Sequence, residues 1–174
     1  RQDYPGDART LYYLGQEHLE LAGWEPEKEL KEAGAGSNVL KSLRYYRARA
    51  LMSQPKALSE GFHVDEERYW AFLKAAEICE RYMKDFKCAR SMWVKALRMD
   101  PVRADAPYYL GQHYRLLQLP LPAIHWLTLA GSLEMPDRSY HQWPELYSCL
   151  RHSELLNALA MLPSLDTHQQ QRAE

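Results

Sequence analysis

The chain has 174 residues, enough for one domain or a short repeat array with a substantial core. Its 22 Lys and Arg residues nearly balance its 23 Asp and Glu residues, so it has no basic field to attract nucleic acid, and nucleic-acid binding is not predicted. No apolar run is long enough to cross a bilayer, so no membrane segment is predicted.

The first predicted unit covers about residues 8–52 and is irregular. Its opening helix, at about 8–22, carries four residues on one face: Leu11, Leu14, Gly15 and His18. Its second helix is predicted at about 38–52. The intervening segment 23–37 is rich in glycine and contains a proline, so we expect a long loop there that can hold a short helical turn.

Two further units and a cap follow along the chain. The second unit is predicted at about 65–101, and Pro101 ends its second helix. The third unit is predicted at about 103–135. Two short helices within about 145–162 are expected to cap it, and residues 164–174 form a polar tail.

An internal repeat organises these helices. The pentapeptide Tyr-Tyr-Leu-Gly-Gln occurs at 12–16 and again at 108–112. After the second copy, small and large residues recur at the spacing of the tetratricopeptide motif, whose unit is about 34 residues. Gly111 and Ala123 are expected where two antiparallel helices approach closely, with Leu127 beside them. The sequence therefore predicts an all-α, tetratricopeptide-like α-solenoid of about three helix pairs with C-terminal capping helices, within residues 1–163.

The three cysteines are odd in number and follow no paired-cysteine motif: Cys79, Cys88 and Cys149. We expect them to be reduced, which indicates a cytoplasmic location. The seven histidines have no metal-ligand spacing, so neither a metal site nor a cofactor is predicted. His18 is expected to pack in the core, and His113 and His125 to be partly exposed. No catalytic motif is present, so no catalytic residue is proposed and the chain is not predicted to be an enzyme by itself.

A candidate binding face follows from the repeat register. In tetratricopeptide geometry, particular first-helix positions line a concave surface, and here they give seven candidates: Arg9, Tyr12, Gln16, Trp70, Tyr108, Gln112 and Arg115. Aromatic rings interleaved with amides and charges can stack on a sugar ring or an extended peptide and satisfy its polar groups. The alternative is that Tyr12 and Tyr108 pack against neighbouring helices.

Several strings resemble the region that follows the catalytic domain in tetratricopeptide-bearing family 2 glycosyltransferases. They are the segments 7–16 (DARTLYYLGQ), 43–49 (LRYYRAR) and 101–110 (PVRADAPYYL), and the spaced closing residues between 136 and 155. The resemblance runs in the same order from about Pro5 to Leu159. The insertion at 23–37 departs from it, as do Gly15 and Gly111, where alanine is common in that family.

The resemblance implies a non-catalytic accessory domain of a nucleotide-sugar glycosyltransferase. Its partners would be an acceptor glycan or protein, which it positions, or the catalytic domain of the same parent chain, with which it assembles. The chain begins with Arg1 rather than Met, so we expect it to be a piece of a longer protein. The alternative is a tetratricopeptide scaffold that binds a protein segment and has no link to sugar transfer.

Overall fold

The computed structural model describes residues 8–52, 65–137 and 143–163, and the chain is helical in these ranges, without a strand. The all-α prediction is confirmed. The helices in chain order are α1 (Ala8–Leu21), α2 (Pro26–Ala33), a 3₁₀ turn (Gly34–Gly36), α3 (Asn38–Leu51), α4 (Glu66–Arg81), α5 (Phe86–Met99), α6 (Asp105–Leu116), α7 (Pro120–Ser132), a π-helical turn (Leu146–Leu150) and α8 (Arg151–Leu159). The predicted polar tail, 164–174, lies outside the described residues.

The chain divides into two compact units, residues 1–101 and 102–174. In the first unit, α3 packs against α1 and α4, and α4 packs against α5. In the second unit, α6 packs against α7, and α7 packs against α8. Each unit is thus built from helices that pack on their neighbours in the chain.

Side-chain caps explain where three helices begin. The oxygens of Ser37, Asp65 and Asp85 accept backbone N–H bonds from the residue three positions later, at 3.1, 3.0 and 2.9 Å. Each bond satisfies an amide that the first helical turn leaves unpaired, and such a cap contributes about 1 kcal/mol. Helices α2 and α7 instead begin with a proline, whose missing N–H costs nothing in the first turn.

The segment 23–37 differs from the predicted loop because it contains the eight-residue helix α2. No side chain of α2 is buried, so the helix has no apolar stripe for a sequence pattern to reveal. Its charges match the helix dipole, with Glu27 and Glu29 in the first turn and Lys31 in the last. Glu29 also accepts the backbone N–H of Asn38 at 2.5 Å, so the inserted helix caps α3.

The first copy of the pentapeptide brings α1 against α3. A Cβ added at Gly15 would lie 2.9 Å from two ring carbons of Tyr46, so only glycine leaves room for that ring. Ser42, one turn before Tyr46, donates its hydroxyl to the Gly15 carbonyl at 2.6 Å. The close approach of the two helices depends on a small residue at this position.

The second copy brings α6 against α7 in the same way. A Cβ at Gly111 would lie 2.4 Å from Leu127 Cγ and 3.1 Å from its backbone nitrogen. A core of small and large apolar side chains surrounds the contact, including Ala123, Leu127, Ala130, Leu146 and Ala158. The glycine of each pentapeptide therefore marks the point where a helix pair is most closely packed.

The C-terminal cap of the second unit is one continuous helical segment rather than two separate short helices. Leu150 has helical backbone angles, so the π-helical turn passes directly into α8. Arg151 anchors the segment by donating to the carbonyls of Ala130, at 2.9 Å, and of Leu133. A guanidinium at this place complements the negative end of the α7 dipole.

The prediction of reduced cysteines is wrong for two of the three. Cys79 at the end of α4 and Cys88 at the start of α5 form a disulfide with their Cα atoms 5.9 Å apart. The pairing depends on the packing of α4 against α5, which a sequence spacing of nine residues does not reveal. Cys149 is a free, exposed thiol. Cysteine usage therefore gives no support for a cytoplasmic location.

The histidine predictions have mixed outcomes. His18 is half-buried, stacks on Tyr45 with ring centroids 5.3 Å apart, and has Nδ1 3.1 Å from Asn38 Oδ1. His125 is exposed. His113 is buried rather than partly exposed, because it lies three residues after Leu110 on the core-facing side of α6.

Among the described helices, none has the length and apolar character needed to cross a membrane.

Candidate binding face

The candidate residues in the first unit lie on α1 and α4. Arg9 is exposed, and its Nε donates to Glu67 Oε1 at 2.9 Å, which joins the starts of the two helices. Gln16 and Trp70 are both partly exposed. The Trp70 ring lies edge-on to Tyr69 with centroids 6.0 Å apart. These three side chains can present a cation, an amide and part of an indole ring to a ligand.

Tyr12 is buried, with 3% of its surface exposed. Its ring packs edge-on against Tyr46, with centroids 5.6 Å apart and an angle of 70° between the planes. Burial raises the pKa of the Tyr46 hydroxyl, and the Tyr12 hydroxyl adds to this shift. Tyr12 therefore takes part in the packing of α1 against α3, as the packing alternative states.

A buried ion-pair network lies next to this face and was not foreseen from the sequence. Arg49 of α3 is almost fully buried, and its Nη2 donates to Asp65 Oδ1 and, at 3.4 Å, to Glu67 Oε2. Asp65 also caps α4, and Glu67 also holds Arg9. The sequence indicates this network only through Arg49, a charged residue that lies between the buried residues Tyr46 and Ala50 of α3.

Two of the three candidate residues in the second unit, Tyr108 and Arg115, contact the chain's own C-terminal segment. Tyr108 is only 4% exposed, and its ring packs edge-on against Trp143 with centroids 5.8 Å apart. Gln112 Nε2 donates to the Tyr108 hydroxyl at 3.3 Å. Trp143 therefore covers the tyrosine ring that was predicted to stack on a ligand.

Arg115 forms a two-point ion pair with Glu154 of α8. Its Nε and Nη2 donate to the two carboxylate oxygens, the second at 3.3 Å. Burial, followed by the negative charge of Glu154, raises the pKa of Tyr108, whereas Arg115 and Gln112 oppose the shift. Arg115 thus holds α8 in place, whereas Tyr108 packs against Trp143 and Gln112 bonds to Tyr108.

A buried polar cluster secures the start of α6. Asp105 accepts from Arg103 Nε at 3.1 Å and from the Tyr147 hydroxyl at 3.4 Å. The same hydroxyl accepts the backbone N–H of Ala104 at 3.0 Å. Burial, then the negative charge of Asp105, raises the pKa of Tyr147 to about 12 from its ordinary value of 10.0.

The raised pKa of Tyr147 predicts a loss of stability in alkaline solution. Because the folded state disfavours the phenolate, the contribution is complete below pH 10 and is lost as the pH rises from about 10 through 12. Two pKa units correspond to about 2–3 kcal/mol. Urea unfolding at about pH 9 and pH 11.5 should show a smaller pH-dependent loss in Tyr147→Phe than in the unaltered chain.

Tyr13→Phe is the matched control for this measurement, because Tyr13 is exposed. It should leave the alkaline loss of stability unchanged. An equal loss in the unaltered chain and in Tyr147→Phe would contradict the assigned role of Tyr147.

In the described parts of the chain, no three His, Cys, Asp or Glu side chains are grouped so that they could hold a metal ion. Comparison of the sequence with protein-family models and with curated proteins found no match. Of the seven candidates, Arg9 is exposed, and Gln16, Trp70, Gln112 and Arg115 are partly exposed. Gln112 donates to Tyr108, and Arg115 pairs with Glu154 of α8.

Proposed function

We propose that the chain is a tetratricopeptide-like accessory domain of a family 2 glycosyltransferase, without catalytic residues of its own. It positions an acceptor glycan or protein, or assembles with the catalytic domain. The observation that carries the repeat assignment is the shared glycine contact, Gly15 against Tyr46 and Gly111 against Leu127, at the same place in both pentapeptide copies. Helix-pair repeats of this kind commonly serve as binding surfaces.

Support for the link to sugar transfer comes from the sequence strings. The segments 7–16, 43–49 and 101–110 resemble that family in the same order. In the described structure these segments lie largely in α1, α3 and the start of α6. All three helices take part in one of the two glycine contacts. Because thiols in the cytoplasm are kept reduced, a cytoplasmic location would require that the Cys79–Cys88 bond can be reduced.

The proposed ligand-binding surface is the part of the candidate face in the first unit. Gln16 offers both an amide donor and an amide acceptor, and Trp70 offers part of an aromatic ring. Sugar hydroxyls require donors and acceptors together, and an indole packs well on the apolar face of a pyranose. Arg9 and Glu67 add a charged pair at one side of this surface.

Titration of the 174-residue chain against parallel glycan and peptide arrays tests this surface. We expect saturable binding that is lost in Gln16→Ala and kept in Glu17→Ala. Glu17 is the matched control, because it is the next residue of α1 and is exposed. Binding to peptides alone would favour the protein-binding scaffold. Equal binding by the two variants would remove Gln16 from the site.

A further inference from the structure

The two cysteines of the disulfide differ in how deeply they are buried. Cys79 is 0% exposed and sits within the last turn of α4, whereas Cys88 is 9% exposed and sits in the first turn of α5. Attack on a disulfide requires access to a sulfur along the bond, and Cys88, the less buried residue, lies closer to an external thiol than Cys79 does. The two cysteines are therefore not equivalent.

A cation lies directly on the Cys88 sulfur. Nη2 of Arg47, an exposed residue of α3, donates to Cys88 Sγ at 3.2 Å. Asp85 accepts the backbone N–H of Cys88 and places a carboxylate in the same turn, but the guanidinium contacts the sulfur itself. A neighbouring Arg and a helix N-terminus are the two environments that favour a thiolate. The local sequence 81–90 adds a basic balance, with four Lys or Arg residues and one Asp.

We propose that Cys79 and Cys88 form a reversible redox pair in which Cys88 is the sulfur that exchanges with anionic thiols of the glutathione class. In reduction, a glutathione thiolate attacks Cys88 Sγ, the bond to Cys79 breaks, and Cys79 leaves as a thiolate that takes up a proton. A second glutathione attacks the glutathione sulfur of the mixed disulfide and releases the Cys88 thiolate. The protein bond gains two electrons, and two glutathiones become one glutathione disulfide.

Oxidation follows the reverse path. The Cys88 thiolate attacks glutathione disulfide and releases one glutathione thiolate. The thiolate of Cys79, after loss of its proton, then attacks Cys88 Sγ and releases the second. The arginine contact stabilises the Cys88 thiolate in both directions, so Arg47 is a positioning residue for the exchange.

Trapping in glutathione redox buffers tests the pair. The full chain carries Cys149→Ser, which removes the free exposed thiol. The protein is equilibrated at graded ratios of glutathione to its disulfide, and free thiols are then alkylated with iodoacetamide. Peptide mass analysis shows whether each cysteine is alkylated, disulfide-bonded or joined to glutathione. We expect a Cys79–Cys88 disulfide in oxidising buffer, two alkylated cysteines in reducing buffer, and a trapped glutathione adduct on Cys88. An adduct on Cys79, or a pair that does not change state across the ratios, would overturn the proposal.

Charge variants test whether Arg47 promotes ionisation of the Cys88 thiol or only lies beside it. In reduced protein at about pH 7, Arg47→Gln should slow alkylation of Cys88 by uncharged iodoacetamide several-fold, because less of the thiol is ionised. Arg44→Gln removes the same charge from an exposed position of the same helix and should leave the rate unchanged. Arg47→Lys should restore part of the rate. Equal rates in Arg47→Gln and Arg44→Gln would rule out the role of Arg47.

Discussion

Asp65→Asn should destabilise the first unit by about 3 kcal/mol. Among the described residues, the substitution leaves the buried Arg49 guanidinium with Glu67, at 3.4 Å, as its one charged partner. Removal of one partner from a buried ion pair costs about 3–5 kcal/mol, because the remaining charge stays out of water. We expect the lower end of this range, since asparagine still caps α4 and still offers Arg49 a carbonyl oxygen.

A double-mutant cycle isolates the ion pair from other effects. Arg49→Met with Asp65→Asn removes both charges. Methionine places an apolar side chain of similar length at position 49, and asparagine keeps the cap at position 65. Because an apolar replacement of a buried pair is often close to neutral, the double variant should lie within about 1 kcal/mol of the unaltered chain in urea unfolding. Additive losses in the two single variants and the double variant would contradict the proposed coupling.

Gly111→Ala should destabilise the second unit by about 2 kcal/mol. The new Cβ would meet the side chain of Leu127 and, at 3.1 Å, its backbone nitrogen, which cannot rotate away. Overpacking of this kind costs about 1–3 kcal/mol. We expect the upper end, offset by the roughly 1 kcal/mol that alanine gains over glycine inside a helix.

Gly131→Ala is the matched control for this substitution. Gly131 also lies in a helix, but an added Cβ would meet nothing within 4 Å. The substitution should be neutral or stabilising by up to about 1 kcal/mol, because only the helix-propensity gain remains. Urea unfolding of both variants measures the two effects: the unfolding midpoint should fall in Gly111→Ala and stay the same or rise in Gly131→Ala. A stabilising Gly111→Ala would contradict the close approach of α6 and α7.

The helices that bury an apolar stripe could be predicted from the sequence, and the one that does not could not. Helix α3 was expected at about 38–52 and spans Asn38–Leu51, since its apolar residues recur at the helical period. Helix α2 buries no side chain, so nothing in its pattern distinguished it from a polar loop. The glycine contacts were also foreseeable, because the pentapeptide repeat marks them.

The binding face was harder to predict, because burial depends on partners far away in the sequence. Tyr12 and Tyr108 occupy repeat positions that can face a groove, but Tyr46 and Trp143 cover them. Periodicity places a residue on one side of a helix and does not show what packs on that side. The Cys79–Cys88 bond was missed for the same reason, since it depends on the packing of α4 against α5.

We propose above that this chain is an accessory domain of a family 2 glycosyltransferase. The most direct measurement is the coding sequence joined to the Arg1 codon in the gene. We expect an upstream nucleotide-sugar-binding domain with an Asp-x-Asp motif in the same reading frame. A reading frame that joins Arg1 to a signalling, membrane or chaperone module, or that contains no such domain, would contradict it.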